Sequence, residues 1–241
     1  MKNKINSGYK LWKESLRFIP GGNGLLSKRP ERYASFQWPT YYESSRGIEL
    51  TDLDGNRWFD FAQMGLGCAI LGYNNTEVNN YVINSIRKGI NTTLNCPEES
   101  LLAKQLLKFN KFATKVRFCR SGGEAMSIAV RIARSYSKSY KIAFSGYHGW
   151  HDWYLSTNLN GSKNLDNQLL PGLKLNGVPK QLKNTCFPFN FNNLNELKKI
   201  INTNKDLKII VLEGARNGLI SNEVSNYLNN LRLSNYIIIV D

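Results

Sequence analysis

Apolar residues recur along this chain with two different periods, and each change of period marks an element. Near the start, Leu11, Trp12, Ser15 and Leu16 fall at helical spacing. This predicts an amphipathic helix that ends at Pro20-Gly21-Gly22, where proline and paired glycines break regular structure. An irregular arm leads on to Tyr42. Between Gly47 and Phe61, Ile48, Leu50 and Leu53 precede the dipeptide Asp54-Gly55, and Trp58, Phe59 and Phe61 follow it, so this stretch reads as a β-hairpin. Helical spacing returns with Val78, Val82 and Ile86, then with Leu101, Leu102 and Leu106. It predicts helices over 78–88 and 98–109, the second opening just after Pro97.

Further on the pattern becomes one of short apolar runs, 116–119, 142–144, 185–189, 209–212 and 237–240, separated by helical or loop segments. Such alternation implies an α/β protein with a mostly parallel sheet covered by helices. The last run, in YIIIVD, is followed by no helix to cover it. The asparagine-rich stretch 158–183, with Pro171-Gly172 and Gly177, reads as a long excursion, and loops of that length in compact domains tend to be functional.

Composition sets bounds on this picture. A chain of 241 residues with 41% hydrophobic content can bury a sizeable core, between one large domain and two small ones. No run of eighteen apolar residues occurs, and no apolar segment backs the lysines of MKNKINSGYKLWKE. Neither a membrane span nor a secretory signal is expected, which makes the cytoplasm the default location. Cys68, Cys96, Cys119 and Cys186 are scattered without a C-x-x-C pair, the pattern of reduced thiols rather than of a zinc site or disulfide framework. The formal charge of +14 suggests attraction to nucleic acid or an acidic membrane, but Lys104, Lys108, Lys111 and Lys115 are spread singly, without an arginine-rich stripe interleaved with aromatics. Neither partner is expected. The excess charge reads as solvated surface that also favours an anionic substrate.

Chemistry concentrates in 118–154. Arg120-Ser121-Gly122-Gly123-Glu124 lies between an expected strand and the helix carrying Ala125, Ile128, Ala129, Ile132 and Ala133. Backbone N–H groups at such a helix start form a ready anion site, and Ser121, Gly122 and Gly123 suit close approach by a phosphate. A simple helix cap through Ser121 or Glu124 explains the same residues equally well. Tyr147 and His148, in YHGWHD, follow the next strand and should share its edge with Ser121. A metal site of His148, His151 and Asp152 is set aside, since the chain has no third histidine and Gly149 interrupts any regular ligand helix. Glu213 and Asp241 end two apolar runs, at the strand ends where open α/β sheets bind ligands.

Taken together, these segments resemble the class-III aminotransferases of PLP fold type I, in particular their glutamate-1-semialdehyde aminomutase-like branch. The resemblance rests on Pro20-Gly21-Gly22, GIELTDLDGNRWFDF at 47–61, Leu71-Gly72-Tyr73, Cys96-Pro97-Glu98-Glu99, RSGGEA, VRIAR, GYHGWHDWY and IIIVD. It implies pyridoxal 5'-phosphate (PLP) as cofactor and transfer of an amino group to or from a small carbonyl or amino substrate. By that resemblance Ser121, Gly122 and Gly123 bind the cofactor phosphate, Tyr147 stacks on the pyridine ring with His148 beside it, and Asp241 pairs with the ring nitrogen. Glu213 and Asn217 match the family's E-P-x-x-N segment, with Gly214 in place of the proline, and Arg29 is assigned to substrate binding from the arm. Residues 1–62 correspond to the N-terminal arm and hairpin segment, and 63–241 to an incomplete large domain. In the family the Schiff-base lysine and a smaller C-terminal domain lie downstream of the aspartate. No lysine of this chain matches, so no catalytic residue is assigned, and the sequence is expected to be an N-terminal portion of a homodimeric enzyme. A non-catalytic PLP-binding or partner-binding remnant is the alternative, and transaminase and aminomutase are not separated.

Overall fold

The computed structural model describes residues 6–62, 64–65, 67–168, 172–215 and 218–241. The chain divides into two compact units, residues 1–100 and 101–241.

In the first unit, α1 (Ser7–Ser15) is capped by Asn6, whose side chain accepts from the Tyr9 N–H at 2.7 Å. Its apolar stripe buries Tyr9 and Trp12. Trp12 donates through Nε1 to Glu31 Oε1 at 2.8 Å, and its ring lies where a Cβ on Gly22 would come within 2.3 Å. Gly22 also has φ +77, so the Pro-Gly-Gly turn needs glycine there on two counts. The expected hairpin is a three-stranded antiparallel sheet of β1 (Tyr42–Arg46), β2 (Glu49–Asp52) and β3 (Arg57–Phe59), with Leu50 opposite Trp58. The sequence pattern assigns no strand between the arm, which leads to Tyr42, and the hairpin from Gly47, because Tyr-Glu-Ser-Ser-Arg carries no apolar alternation. Asp52 organises the turn. It accepts from the Asp54 and Asn56 N–H groups, from Asn56 Nδ2 and from Trp58 Nε1. Burial alone would raise its pKa, but these hydrogen bonds outweigh that and hold the carboxyl below its usual value. The helix α2 (Thr76–Arg87), and α3 (Pro97–Phe109), most of which belongs to the second unit, start and end within two residues of the expected limits.

The second unit is built on four parallel strands, β4 (Ile142–Ser145), β5 (Cys186–Pro188), β6 (Ile209–Leu212) and β7 (Ile237–Val240), in the spatial order β5-β4-β6-β7. Successive residues of a strand face opposite ways, and both faces are covered. Ile142, Phe144, Ile209 and Val211 pack with Met126, Val130 and Ala133 of α4 (Gly122–Ser137) and with Trp153, Tyr154 and Leu165. On the other face Ala143, Ile210 and Leu212 pack with α6 (Leu194–Thr203) and α7 (Asn222–Leu233) through Leu194, Leu197, Ile201, Val224, Leu228 and Leu231. Double coverage is why β4 and β6, buried along their whole length, read as continuous apolar runs. A short helix, α5 (Asp152–Leu155), opens the excursion.

One expected strand is absent. Residues 116–119 form no ladder among the described residues, although Val116 and Phe118 alternate with Arg117 and Cys119. Alternation specifies an extended backbone, but a strand also needs a neighbour for its N–H and C=O groups. Among the described residues no helix is long and apolar enough to cross a membrane.

Candidate active site

The start of α4 supports both readings of Ser-Gly-Gly at once. Ser121 Oγ accepts from the Glu124 N–H at 3.3 Å, and Glu124 Oε2 accepts from the Arg120 N–H at 2.8 Å, which makes a reciprocal cap. The Ala125 N–H turns back to Ser121 O. That leaves the Gly122 and Gly123 amides without a protein acceptor among the described residues. Space around Gly122 is open, since a Cβ there would meet nothing within 4 Å. The cap therefore organises the helix start without consuming the two donors an anion would use.

Over this turn lies the loop that leaves β4. A Cβ on Gly149 would come within 3.0 Å of Gly123 Cα, and one on Gly123 would come within 2.9 Å of His151 Nε2. Glycine at both positions lets the loop and the helix start touch. Tyr147 is half-buried, edge-on to Tyr154 with ring centroids 5.8 Å apart, and burial pushes its phenol pKa up. His148, one residue on, points inward and is 1% exposed. Its Nδ1 lies 2.8 Å from Asp241 Oδ2 and its Nε2 3.0 Å from Ser145 O. The ring bridges the Asp241 carboxylate and the end of β4, with one nitrogen on each. The structure thus places His148 behind Asp241 and against Trp153, with ring centroids 6.3 Å apart. His151 is directed to Gly123 instead, and the two histidines do not converge.

Parallel pairing brings in the carboxylates. β6 pairs with β4 on one side and β7 on the other, with Ser145 beside Leu212 and Leu212 beside Val240. The residues that follow, Glu213 and Asp241, consequently emerge at one end of the sheet. Asp241 is fixed by its own N–H to Leu212 O at 2.9 Å and by the Gly214 N–H to its carbonyl at 3.1 Å. Glu213 is buried, and its Oε1 lies 3.4 Å from the Tyr147 N–H. Seven sequence-nominated residues, Ser121, Gly122, Gly123, Tyr147, His148, Glu213 and Asp241, belong to this one sheet end and the loop and helix start beside it. Asn217 lies outside the described residues. Arg29 belongs to the first unit, where its guanidinium lies against Gly21 and a Cβ on that glycine would come within 2.2 Å of Nη2.

Sequence reasoning missed two supports of the loop. Gln168 Oε1 accepts from the Gly146 N–H at 2.7 Å, and the Tyr154 hydroxyl donates to Gly146 O at 3.0 Å. Tyr154 could have been found as an aromatic inside the GYHGWHDWY motif. A glutamine in an asparagine-rich loop carries no such signal.

The aminotransferase class-III family model matches residues 32–213. A 3-aminobutyryl-CoA aminotransferase of Cloacimonas acidaminovorans is 31% identical over 85% of this chain and 45% of its own length. A glutamate-1-semialdehyde 2,1-aminomutase of Sulfurisphaera tokodaii is 34% identical over 92% of this chain and 51% of its own. The chain thus spans about half the length of the curated relatives it matches. Among solved structures, a transaminase with PLP bound superposes with a TM-score of 0.80 at 25% identity, covering 96% of this chain and 54% of the other. The architecture is that of the large domain of PLP-dependent transferases of fold type I. With the family match extending over most of its length, the chain belongs to the class-III aminotransferases.

Proposed function

We propose that this chain carries the cofactor-binding part of a PLP-dependent aminotransferase or aminomutase acting on a small amino or carbonyl substrate. The observation that carries the reading is the His148–Asp241 contact of 2.8 Å at the sheet end reached by the α4 start. A carboxylate fixed there by a buried imidazole is what a protonated pyridine nitrogen requires as partner. Three features of the chain fit PLP. Two unclaimed amides at Gly122 and Gly123 suit its phosphate, the half-buried Tyr147 suits its ring, and Asp241 suits its nitrogen. When bound, PLP supplies a conjugated ring that withdraws electron density from the substrate carbon bearing the amino group.

The protein's own residues have separate tasks in this proposal. Ser121 caps α4 and so directs the Gly122 and Gly123 N–H groups at the phosphate. Tyr147 excludes water from one face of the ring, and His148 holds the Asp241 carboxylate in place. Glu213 and Asn217 place the cofactor from the β6 end, and Arg29 receives the substrate from the arm. Residues 1–62 serve as arm and hairpin segment, 63–241 as the PLP-binding domain, and the working assembly is a homodimer. No lysine of this chain is given a covalent role.

The test is titration of the purified chain with PLP, followed by quenching of tryptophan fluorescence, with pyridoxal and inorganic phosphate as controls. Saturable binding that phosphate competes away, and that pyridoxal matches only at much higher concentration, is the expected result. Equal affinity for PLP and pyridoxal would remove the phosphate site from the proposal.

A further inference from the structure

Gly146 is where β4 gives way to the loop carrying Tyr147 and His148. It has φ +110, and a Cβ there would come within 2.7 Å of the Glu213 carboxyl carbon. Glycine is required, yet it leaves the backbone torsions of this junction weakly determined. The direction in which Tyr147 and His148 leave the strand then depends on what holds the two peptides flanking Gly146 and Tyr147. Among the described residues, Gln168 approaches most closely, 2.7 Å from Oε1 to the Gly146 N–H, beside 3.0 Å for the Tyr154 hydroxyl to Gly146 O and 3.4 Å for Glu213 to the Tyr147 N–H.

The surroundings of Gln168 are built rather than incidental. It is 9% exposed, and its Nε2 reaches Phe189 O at 3.5 Å just beyond β5, so one carboxamide ties the loop to the neighbouring strand end. The arc that presents it is anchored by Leu165, which is fully buried and whose N–H donates to Asn158 Oδ1 at 3.0 Å. The Gln168 N–H in turn donates to Leu165 O at 2.9 Å.

We propose that Gln168 is a positioning residue for the cofactor ring: by holding Gly146 it fixes the direction of Tyr147 and His148, and through His148 that of Asp241. This rests on the PLP reading given above. It also gives the excursion a task, which is to brace the ring subsite from behind while leaving the phosphate subsite at α4 untouched.

The experiment uses the full chain carrying Gln168→Met, with Gln168→Glu as a milder variant that keeps an acceptor for Gly146 should the first fail to fold. Affinities for PLP and for inorganic phosphate alone are measured, together with amide hydrogen exchange at Gly146 and at the β4 residues Ala143 and Phe144. Positioning calls for PLP binding about tenfold weaker in Gln168→Met, as expected for one lost buried hydrogen bond. Phosphate affinity stays unchanged, and exchange accelerates at Gly146 but not within β4. In Gln168→Glu the loss of PLP affinity is smaller. Equal weakening of PLP and phosphate would show a merely structural role, and unchanged PLP affinity despite faster Gly146 exchange would overturn the proposal. Should the unaltered chain bind no PLP, the PLP reading fails, and the exchange at Gly146 still decides whether Gln168 holds the loop.

Discussion

Helices α2 and α6 carry the same kind of sequence pattern and meet different fates. Both place apolar residues three and four apart. In α6, Leu194, Leu197 and Ile201 are buried against β4 and β6, whereas Val78, Tyr81, Val82, Ile83 and Ile86 of α2 are all exposed. Periodicity states which face of a helix is apolar. It does not state what covers that face, because the cover comes from elsewhere in three dimensions.

The sharpest way to break this comparison is to truncate one residue in each helix. Leu197→Ala leaves a cavity in a closed core and should cost about 2–5 kcal/mol in urea unfolding. Ile86→Ala should shift the same transition by no more than about 0.5 kcal/mol, as for a surface site. Equal losses would mean that α2 packs far more tightly than its exposure indicates.

The contrast extends to the site, where the supports are packed and the donors open. His148→Phe removes the ring nitrogens facing Asp241 and Ser145 O, and should weaken PLP binding about 10- to 100-fold through loss of a charge-assisted hydrogen bond. Phosphate affinity should stay the same. Gly123→Ala brings a methyl against His151 Nε2 and should weaken phosphate and PLP alike by about tenfold. Adding His151→Ala should recover part of that loss, since the two changes share one contact. Additive losses would mean the methyl acts by blocking the amides themselves.

The smallest effect is expected at Asp52 in the first unit. Its folded pKa lies below the usual carboxylate value, so its contribution to stability is fully present above the unfolded pKa of about 3.8 and fades as pH falls through the folded value. Replacing it with Asn should flatten the acid limb of the stability profile. An unchanged acid limb would assign that pH dependence to other carboxylates.

Legibility of the sequence followed the same division. Runs 209–212 and 237–240 coincide with β6 and β7; β6 is buried on both faces and leaves the unbroken apolar signature expected of such a strand, while β7, half-buried at the sheet edge, carries an apolar run as well. The segment 116–119 has an apolar pattern without a ladder, and β1 has a ladder without an apolar pattern. Pairing is a long-range property that local composition does not encode. At the site, chain order placed Tyr147, His148, Glu213 and Asp241 at strand ends. That His148 turns inward to Asp241 while Tyr147 stays half-buried depends on the direction in which the chain leaves Gly146, which no spacing rule reports.

The central claim is that one sheet end, the loop beside it and the start of α4 form a single PLP site. A crystal structure of the chain grown with PLP tests it most directly. The account requires the phosphate on the Gly122 and Gly123 amides, the ring against Tyr147 and the pyridine nitrogen within hydrogen-bond distance of Asp241. PLP bound elsewhere, or with its nitrogen directed away from Asp241, would contradict it.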